Sequence, residues 1–413
     1  MTHPHPQKVE RWLTLVGVGE DGPEGLSAAA RTLIEQAPYV IGGARHVALC
    51  RNLIKGEAHT WVTPFSTALE AVLARRGQPT LVLASGDPFF YGVGATLIGH
   101  VTPQEVACLP APSCVALACA RLGWAQQACR VVSVCGRPHA LILPFLQPGA
   151  RLLVLCADET SPAALFAWLN ERGFGQTECH ILQALGGPHE QVIRCLAQDG
   201  APHGINRLCL VALCVPAGAV SCALPRVAGL PDTCFEHDGQ LTKREIRAVT
   251  LSSLAPRAGE LLWDVGGGAG SVGIEWMLSD PTCQTITIEQ APERVARIAH
   301  NAQALGVPNL QTVTGKAPAA FTGLPAPDAI FIGGGGSTTG MLEATWQALK
   351  PGGRLVVNAV VVETEHKLFQ AMQQWGGSLT RLDVARLDPV GRLHAFRPSM
   401  SVTQWVAWKP TQV

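Results

Sequence analysis

The chain has no net charge and no long run of one sign: 31 Lys plus Arg balance 31 Asp plus Glu across 413 residues. That balance removes the electrostatic footprint expected of a protein that binds DNA, RNA or an acidic membrane surface. C-x-x-C pairs are also missing, and none of the 14 cysteines stands near a histidine at zinc-ligand spacing. The cysteines fall singly in apolar segments, as in VACL around Cys108 and LVALC ending at Cys214. They read as small buried hydrophobes in a reducing compartment, with no disulfide framework and no metal site. The opening MTHPHPQKVERW lacks an apolar signal-like core, and the longest apolar stretch, Leu208 to Leu224, is broken by Pro216 and Gly218. The expectation is a soluble cytoplasmic protein. There is no low-complexity tract and no internal repeat of roughly 20 to 50 residues.

What is present is alternation. A chain of this length outgrows one hydrophobic core, so two domains are expected. In the first half, WLTLVGV (12–18) is a short buried strand, followed by the loop GEDGPEG and the helical pattern LSAAARTLIEQA. Further strand-like runs follow at TLVLAS (80–85), VVSVC (131–135), LLVLC (152–156) and LCLVALCV (208–215). PAGAVSCALPRVAGLPD, between Pro216 and Asp232, has neither a helical nor a strand period. It sets the expected division: residues 1–216, a linker at 217–231, and residues 232–413. In the last part, helices at 242–254, 270–279, 292–305 and 338–349 alternate with strands LLWDV, TITIE (285–289), DAIFIG (328–333) and GRLVVNAV (353–360). This pattern predicts a doubly wound parallel sheet.

Each half carries a glycine loop. GVGEDG, Gly17 to Gly22, fits the dinucleotide expression G-x-G-x-x-G, but Glu20 and Asp21 would set two carboxylates beside a pyrophosphate. A tight turn that lets strand and helix pack closely is the better reading, although the expression keeps a NAD-dependent oxidoreductase open as an alternative. The second loop, Asp264 to Gly270, has glycines at 266, 268 and 270, with Ser271 where a NAD fold would want glycine. Asp264 would meet a ligand carrying positive charge, and the next strand ends in Glu289, where a carboxylate can accept from two ribose hydroxyls. S-adenosylmethionine fits both demands, which leaves a methyltransferase as the leading reading and a regulatory cofactor-binding module as another. After the fourth strand of this half stands DAIFIGGGGS, without the Asn/Asp-Pro-Pro-Tyr motif that amino-group methyltransferases need. A bulky, non-aminic substrate is expected.

Taken together, LTKREIRAV (241–249), WDVGGGAGSVGIEW, TITIEQAPERV, PDAIFIGGGG and LKPGGRLVVNAVVVETE resemble the carboxy-terminal domain of the precorrin-6Y methyltransferase family. The first half, through VGVGEDGPEGL, LASGDPFFYGVG (83–94) and PAPSCVALACARLGW (110–124), is similar to the tetrapyrrole methylases. The resemblance covers nearly the whole chain. It implies an α/β protein with two domains, an amino-terminal tetrapyrrole methylase (class III) fold and a carboxy-terminal doubly wound Rossmann-like (class I) methyltransferase fold. The implied activity belongs to cobalamin synthesis: methylation of meso carbons 5 and 15 of a reduced tetrapyrrole, precorrin-6B, and decarboxylation of its ring C acetate to give precorrin-8X. Carbon 5 would fall to the first domain, and carbon 15 with the decarboxylation to the second. Each domain would bind its own S-adenosylmethionine.

The resemblance also implies site residues. In the first domain the cofactor pocket maps onto Ser85, Gly86, Asp87, Phe90, Ser113 and Cys114, with Asp87 among the catalytic groups as well. Where related sequences commonly carry histidine before Gly-Arg, this chain has Cys135, Gly136 and Arg137, a departure from the family pattern that leaves an acid/base role there without the family's histidine. In the second domain it maps onto Thr242, Asp264, Gly266, Gly267, Gly268, Ala269, Gly270, Glu289 and, after Gly315 and Lys316, Ala317. Thr242 and Glu245 also read as T-x-x-E, a capping box at the helix start. The substrate is a polycarboxylate, so arginines should face its cleft; in RLDPVGRLHAFRPS (386–399), Arg392 and Arg397 are the expected clamps. Expected partners are the small-molecule tetrapyrrole and further copies of the chain in a homo-oligomer, with neither nucleic acid nor membrane.

Overall fold

The computed structural model describes residues 11–411. The chain divides into two compact units, Met1–Arg137 with Pro148–Cys222, and Pro138–Gln147 with Ala223–Val413. The short segment Pro138–Gln147 thus packs with the second unit although it is flanked by the first; Gln147 Nε2 donates to the Leu224 carbonyl at 3.0 Å.

In the first unit, β1 (Leu13–Val18), β2 (Tyr39–Gly42), β3 (Glu57–Thr60), β4 (Thr80–Ser85) and β5 (Val106–Leu109) form an all-parallel sheet in the order β3-β2-β4-β1-β5. Both of its faces are covered, Val16 and Val18 packing into one cluster and Leu13 and Leu15 into another. That explains why LTLVGV is a continuous apolar run rather than an alternating one. A second, mixed sheet contains β6 (Cys129–Ser133), β7 (Arg151–Leu155), β8 (Glu178–Gln183), β9 (Gln191–Leu196) and β10 (Cys209–Cys214), ordered β6-β7-β10-β8-β9. The cysteines correct one expectation. Only Cys50, Cys119, Cys179 and Cys283 are fully buried, and Cys114 and Cys135 are exposed.

In the second unit, β11 (Leu261–Val265), β12 (Gln284–Glu289), β13 (Gln311–Thr314), β14 (Ala329–Ile332) and β15 (Arg354–Ala359) run parallel, as the alternation predicts. The sheet does not stop there. β16 (Ser378–Leu382) and, after the hairpin β17 (Ala385–Val390) and β18 (Leu393–Pro398), β19 (Val402–Trp408) extend it to β13-β12-β11-β14-β15-β19-β16, with β19 antiparallel to both neighbours. Trp405 on β19 stacks with Trp346 and Trp375 at centroid distances of 6.4 and 6.1 Å, which ties the last two helices to the antiparallel edge. The expected helix at 338–349 is shorter, Met341–Ala348, because Gly340 enters it at φ 74°.

Candidate functional site

The second unit holds a cleft of about 740 Å³ at the carboxyl ends of β11, β12 and β14. From β11 the chain builds outward through β12 and β13, then returns to β14 on the other side. This is the switch point at which open α/β sheets leave a crevice. Gly266, Gly267, Gly268, Glu289, Thr242 and Ala317 line it, so six of the expected second-unit residues meet at one cavity.

The glycine spacing has a steric origin. Gly268 sits at φ 57°, and a Cβ there would lie 2.8 Å from the Gln240 carbonyl oxygen. Gly270, at φ 77°, is the residue before the helix Ser271–Ser279, and its Cβ would meet Ile298 at 2.8 Å. Glu289 locks the loop to the sheet: its carboxylate accepts from Gly268 N at 3.0 Å and from Ala291 N at 3.1 Å. It is only 4% exposed, yet it forms part of the cleft wall.

Asp264 lies beneath the glycine loop. It is 1% exposed, does not line the cleft, and accepts from Gly273 N at 3.1 Å inside the helix that follows. Burial, with a smaller contribution from the Glu289 charge, pushes its carboxyl up to about 7. In the structure its carboxylate lies beneath the loop and holds the helix start against the sheet. Ala269 and Gly270 are likewise off the cleft wall; the Ala269 carbonyl accepts from Asn301 Nδ2 at 3.0 Å.

Thr242 reaches the cleft without forming the capping box. The helix begins at Arg244 with Lys243 as its N-cap and no side-chain cap bond. The Thr242 carbonyl instead accepts from Arg247 Nη1, and Glu245 turns to Arg386 at 2.5 Å. Arg247 is wholly buried, 2.6 Å from Glu275 and 3.2 Å from Asp232. Glu275 in turn accepts from Gly229 N and Leu230 N. This buried pair pins the Gly229–Thr242 segment across the cleft. Sequence reasoning missed it, the one signal being an acid and a base on otherwise apolar helix faces.

Arg392 and Arg397 do not line the cleft. They belong to the exposed hairpin, Arg392 at its turn and Arg397 3.6 Å from Asp388. The arginines on the cleft wall are Arg386 and Arg294, with Lys243 and Lys316 as further cations there.

In the first unit the two expected loops do converge. Gly86 N donates to the Val18 carbonyl at 3.1 Å, and the Gly86 carbonyl accepts from Ala111 N at 3.0 Å. This brings Ser85, Gly86 and Asp87 beside Ser113 and Cys114. Asp87 accepts from Phe89 N, an Asx-type turn, and Phe90 packs against the cluster around Val115 and Leu182. Tyr91 is held at φ 51°, a conformation non-glycine residues rarely adopt. Ser113 caps its helix by accepting from Ala116 N at 3.1 Å. Cys135 donates to the Cys156 carbonyl at 3.1 Å. As for GVGEDG, a Cβ on Gly17 would lie 1.9 Å from the Gly86 carbonyl oxygen, so this glycine serves close backbone approach. Glu20 is ion-paired with Arg45. Gly22 opens only the 3₁₀ turn Gly22–Gly25, not a helix whose start could meet a pyrophosphate.

Among the described residues no group of three or more His, Cys, Asp or Glu could hold a metal ion, and no helix is long and apolar enough to cross a membrane.

Comparison with known proteins bears on both units. Residues 12–200 match the family of tetrapyrrole (corrin/porphyrin) methylases, and residues 233–409 match the precorrin methyltransferase domain. The chain is 52% identical over 408 residues to a precorrin-6Y C(5,15)-methyltransferase [decarboxylating] of Sinorhizobium sp, covering 98% of each. It is 34% identical over 166 residues to the cobalt-precorrin-6B C(15)-methyltransferase (decarboxylating) of Salmonella typhimurium, 39% of this chain and 85% of that one. The crystal structure of the C-terminal domain of precorrin-6Y C5,15-methyltransferase from Rhodobacter capsulatus is 44% identical, covering 45% of this chain and 100% of that one with a TM-score of 0.43.

Proposed function

The chain belongs to the precorrin-6Y C(5,15)-methyltransferase (decarboxylating) family, and from that premise we propose how its two units divide the work. It is an S-adenosylmethionine-dependent methyltransferase of cobalamin biosynthesis. The second unit transfers the methyl to carbon 15 of precorrin-6B and releases the ring C acetate carboxylate as carbon dioxide; the first unit methylates carbon 5, giving precorrin-8X. Each unit binds its own cofactor. The NAD-dependent alternative finds no support, since its motif is spent on backbone packing at Gly17 and on the Glu20 ion pair.

The observation that carries the reading is the cleft wall formed by Gly266 to Gly268 and Glu289. Glu289 uses one lone pair of each oxygen on Gly268 N and Ala291 N, which leaves acceptor capacity toward the cleft for vicinal hydroxyls. Ala317 and the Gly315–Lys316 backbone suit the face of an adenine, and Thr242 closes the other side. Bound there, S-adenosylmethionine supplies an electrophilic methyl. The residues need do little covalent chemistry: their task is to hold the nucleophilic carbon in line, a placement worth roughly 7 to 11 kcal/mol.

For the substrate carboxylates, Arg386 takes the role the sequence suggested for Arg392 and Arg397. Its pairs with Glu245 and, at 3.6 Å, Asp232 hold the guanidinium at the cleft. The hairpin supports a different proposal, self-association. Leu387, Leu393 and Phe396 are 55%, 75% and 72% exposed, and a bare two-stranded hairpin is marginal in water. A second copy covering it would supply the missing packing; Phe396→Glu should then lower the sedimenting mass. A cytoplasmic location belongs to the same reading, supported by the 14 free cysteines.

The test uses the full chain with Glu289→Ala. Mass spectrometry of the product should show the carbon 5 methyl retained, with the carbon 15 methyl lost. A variant that still adds both methyls at the wild-type rate would sink the assignment.

A further inference from the structure

A second cationic site lies in the first unit, beside the first glycine loop. The order β3-β2-β4-β1-β5 sets the carboxyl ends of β2, β4 and β1 side by side. Arg45 follows the end of β2, Ser85 is the last residue of β4, and Glu20 follows the end of β1. Arg45 is ion-paired with Glu20, its Nη2 donates to Ser85 Oγ at 3.3 Å, and the same nitrogen lies 2.8 Å from His46 Nε2.

The histidine is the informative member. A guanidinium can only donate, so Nε2 must accept and the imidazole proton must sit on Nδ1. Burial, then the Arg45 charge, lowers His46 to about 4, which keeps it neutral across the physiological range. Its Nδ1 is buried without a partner. Leaving a buried N–H unpaired works against stability, so local stability alone does not select this arrangement. What it achieves is a guanidinium held by two hydrogen-bond acceptors, Ser85 and His46, and by the Glu20 ion pair. The Arg45 side chain remains 32% exposed, and its Nε–H and one Nη1–H have no partner among the described residues.

We infer that Arg45 anchors a carboxylate of the tetrapyrrole in the first unit, with Glu20 and His46 as positioning residues. This rests on the reading that the first unit methylates a polycarboxylate. A single carboxylate suits the place: the free Nε–H can donate to one of its oxygens beside the guanidinium charge, while the adjacent Glu20 charge disfavours a multiply charged phosphate. Ser85 links the anchor to the SGDP loop, where the cofactor is proposed to bind.

The experiment compares the full-length wild type with Arg45→Ala, Arg45→Lys and His46→Phe. It follows carbon 5 methylation by product mass and NMR, S-adenosylhomocysteine affinity by calorimetry, and fold by circular dichroism. Arg45→Ala should raise KM for the tetrapyrrole about 10- to 100-fold, with kcat within a few-fold and cofactor affinity unchanged. Arg45→Lys should recover part of the loss, and His46→Phe should raise KM less than Arg45→Ala does. An unchanged KM in Arg45→Ala would overturn the inference, and so would an equal fall in cofactor affinity, which would assign Arg45 to the cofactor's own carboxylate. A wild type that adds no methyl at carbon 5 would overturn the proposed division of labour and this inference with it.

Discussion

Asp264→Asn separates a residue that holds the loop from one that touches the ligand. Burial moves the folded-state value of Asp264 from 3.8 to about 7. An acid whose value is raised on folding binds its proton more tightly in the native state, so its effect on stability is smallest below about 4 and becomes a penalty as pH rises toward 7. A rise of that size corresponds to about 4 kcal/mol at most. The second unit should therefore lose stability between about pH 4 and pH 7 and level off above that. Asparagine keeps an acceptor for Gly273 N but cannot ionise, so the variant should lack this slope and be the more stable form at pH 8. Urea unfolding followed by tryptophan fluorescence, at pH 5 and pH 8, reads the difference; Trp263 and Trp276 are buried in this unit. Because Asp264 does not line the cleft, S-adenosylhomocysteine affinity should stay within about threefold. Identical slopes in the two proteins would refute the burial argument, and a large loss of cofactor affinity would restore the direct contact.

The remaining predictions concern the segments that shape the sites. Glu275→Gln leaves the buried Arg247 guanidinium with Asp232 as its remaining carboxylate partner, and loss of a buried partner costs up to about 3–5 kcal/mol; calorimetric unfolding should show the second unit melting earlier, and an unshifted transition would count against the pinning of Thr242. Gly17→Ala inserts a Cβ 1.9 Å from the Gly86 carbonyl oxygen, an overpacking cost of roughly 1–3 kcal/mol or more, so limited proteolysis should cut the first unit faster; an unaltered rate would mean that the two strand ends separate freely. Arg386→Ala should raise KM for the second-unit reaction while Arg392→Ala leaves it alone, and the opposite ranking, measured by steady-state kinetics, would return the clamp to the hairpin turn.

Much of this was legible because parallel strands and their helices announce themselves by period. LLWDV, TITIE, DAIFIG and GRLVVNAV are buried on both faces, and their apolar runs say so without tertiary information. The antiparallel edge was not legible in the same way. β19 reads VTQWVAW, with Thr403 and Gln404 buried among its apolar residues, and Gln404 satisfies its amide on Asn358 and Thr250 from other elements. Pro138–Gln147 was equally opaque, since its packing with the second unit is a long-range fact. At the sites, the glycines and Glu289 were readable because backbone geometry dictates residue type. Arg247 and Arg45 were not, because their ion-pair partners lie far away in sequence, and His46 was not, because its neutral state comes from burial in the folded chain.

The same distinction bears on why decarboxylation is proposed for the second unit. Methyl transfer asks chiefly for placement, which a glycine loop and a carboxylate can provide in either unit. Loss of carbon dioxide asks for more: the reacting carboxylate must be poorly solvated while the substrate's other carboxylates stay held. The second-unit cleft has both surfaces, with Lys243, Lys316 and Arg386 on its wall and Met341, Val360, Met400 and Val402 contributing apolar area to the same cavity. A carboxylate against the apolar part loses hydration and gains no cation, which raises its ground state relative to the charge-dispersed transition state. Replacing Val360 by lysine tests this directly. A cation there should slow release of carbon dioxide more than methyl transfer, and equal slowing of both steps would mean that the apolar wall only shapes the cleft.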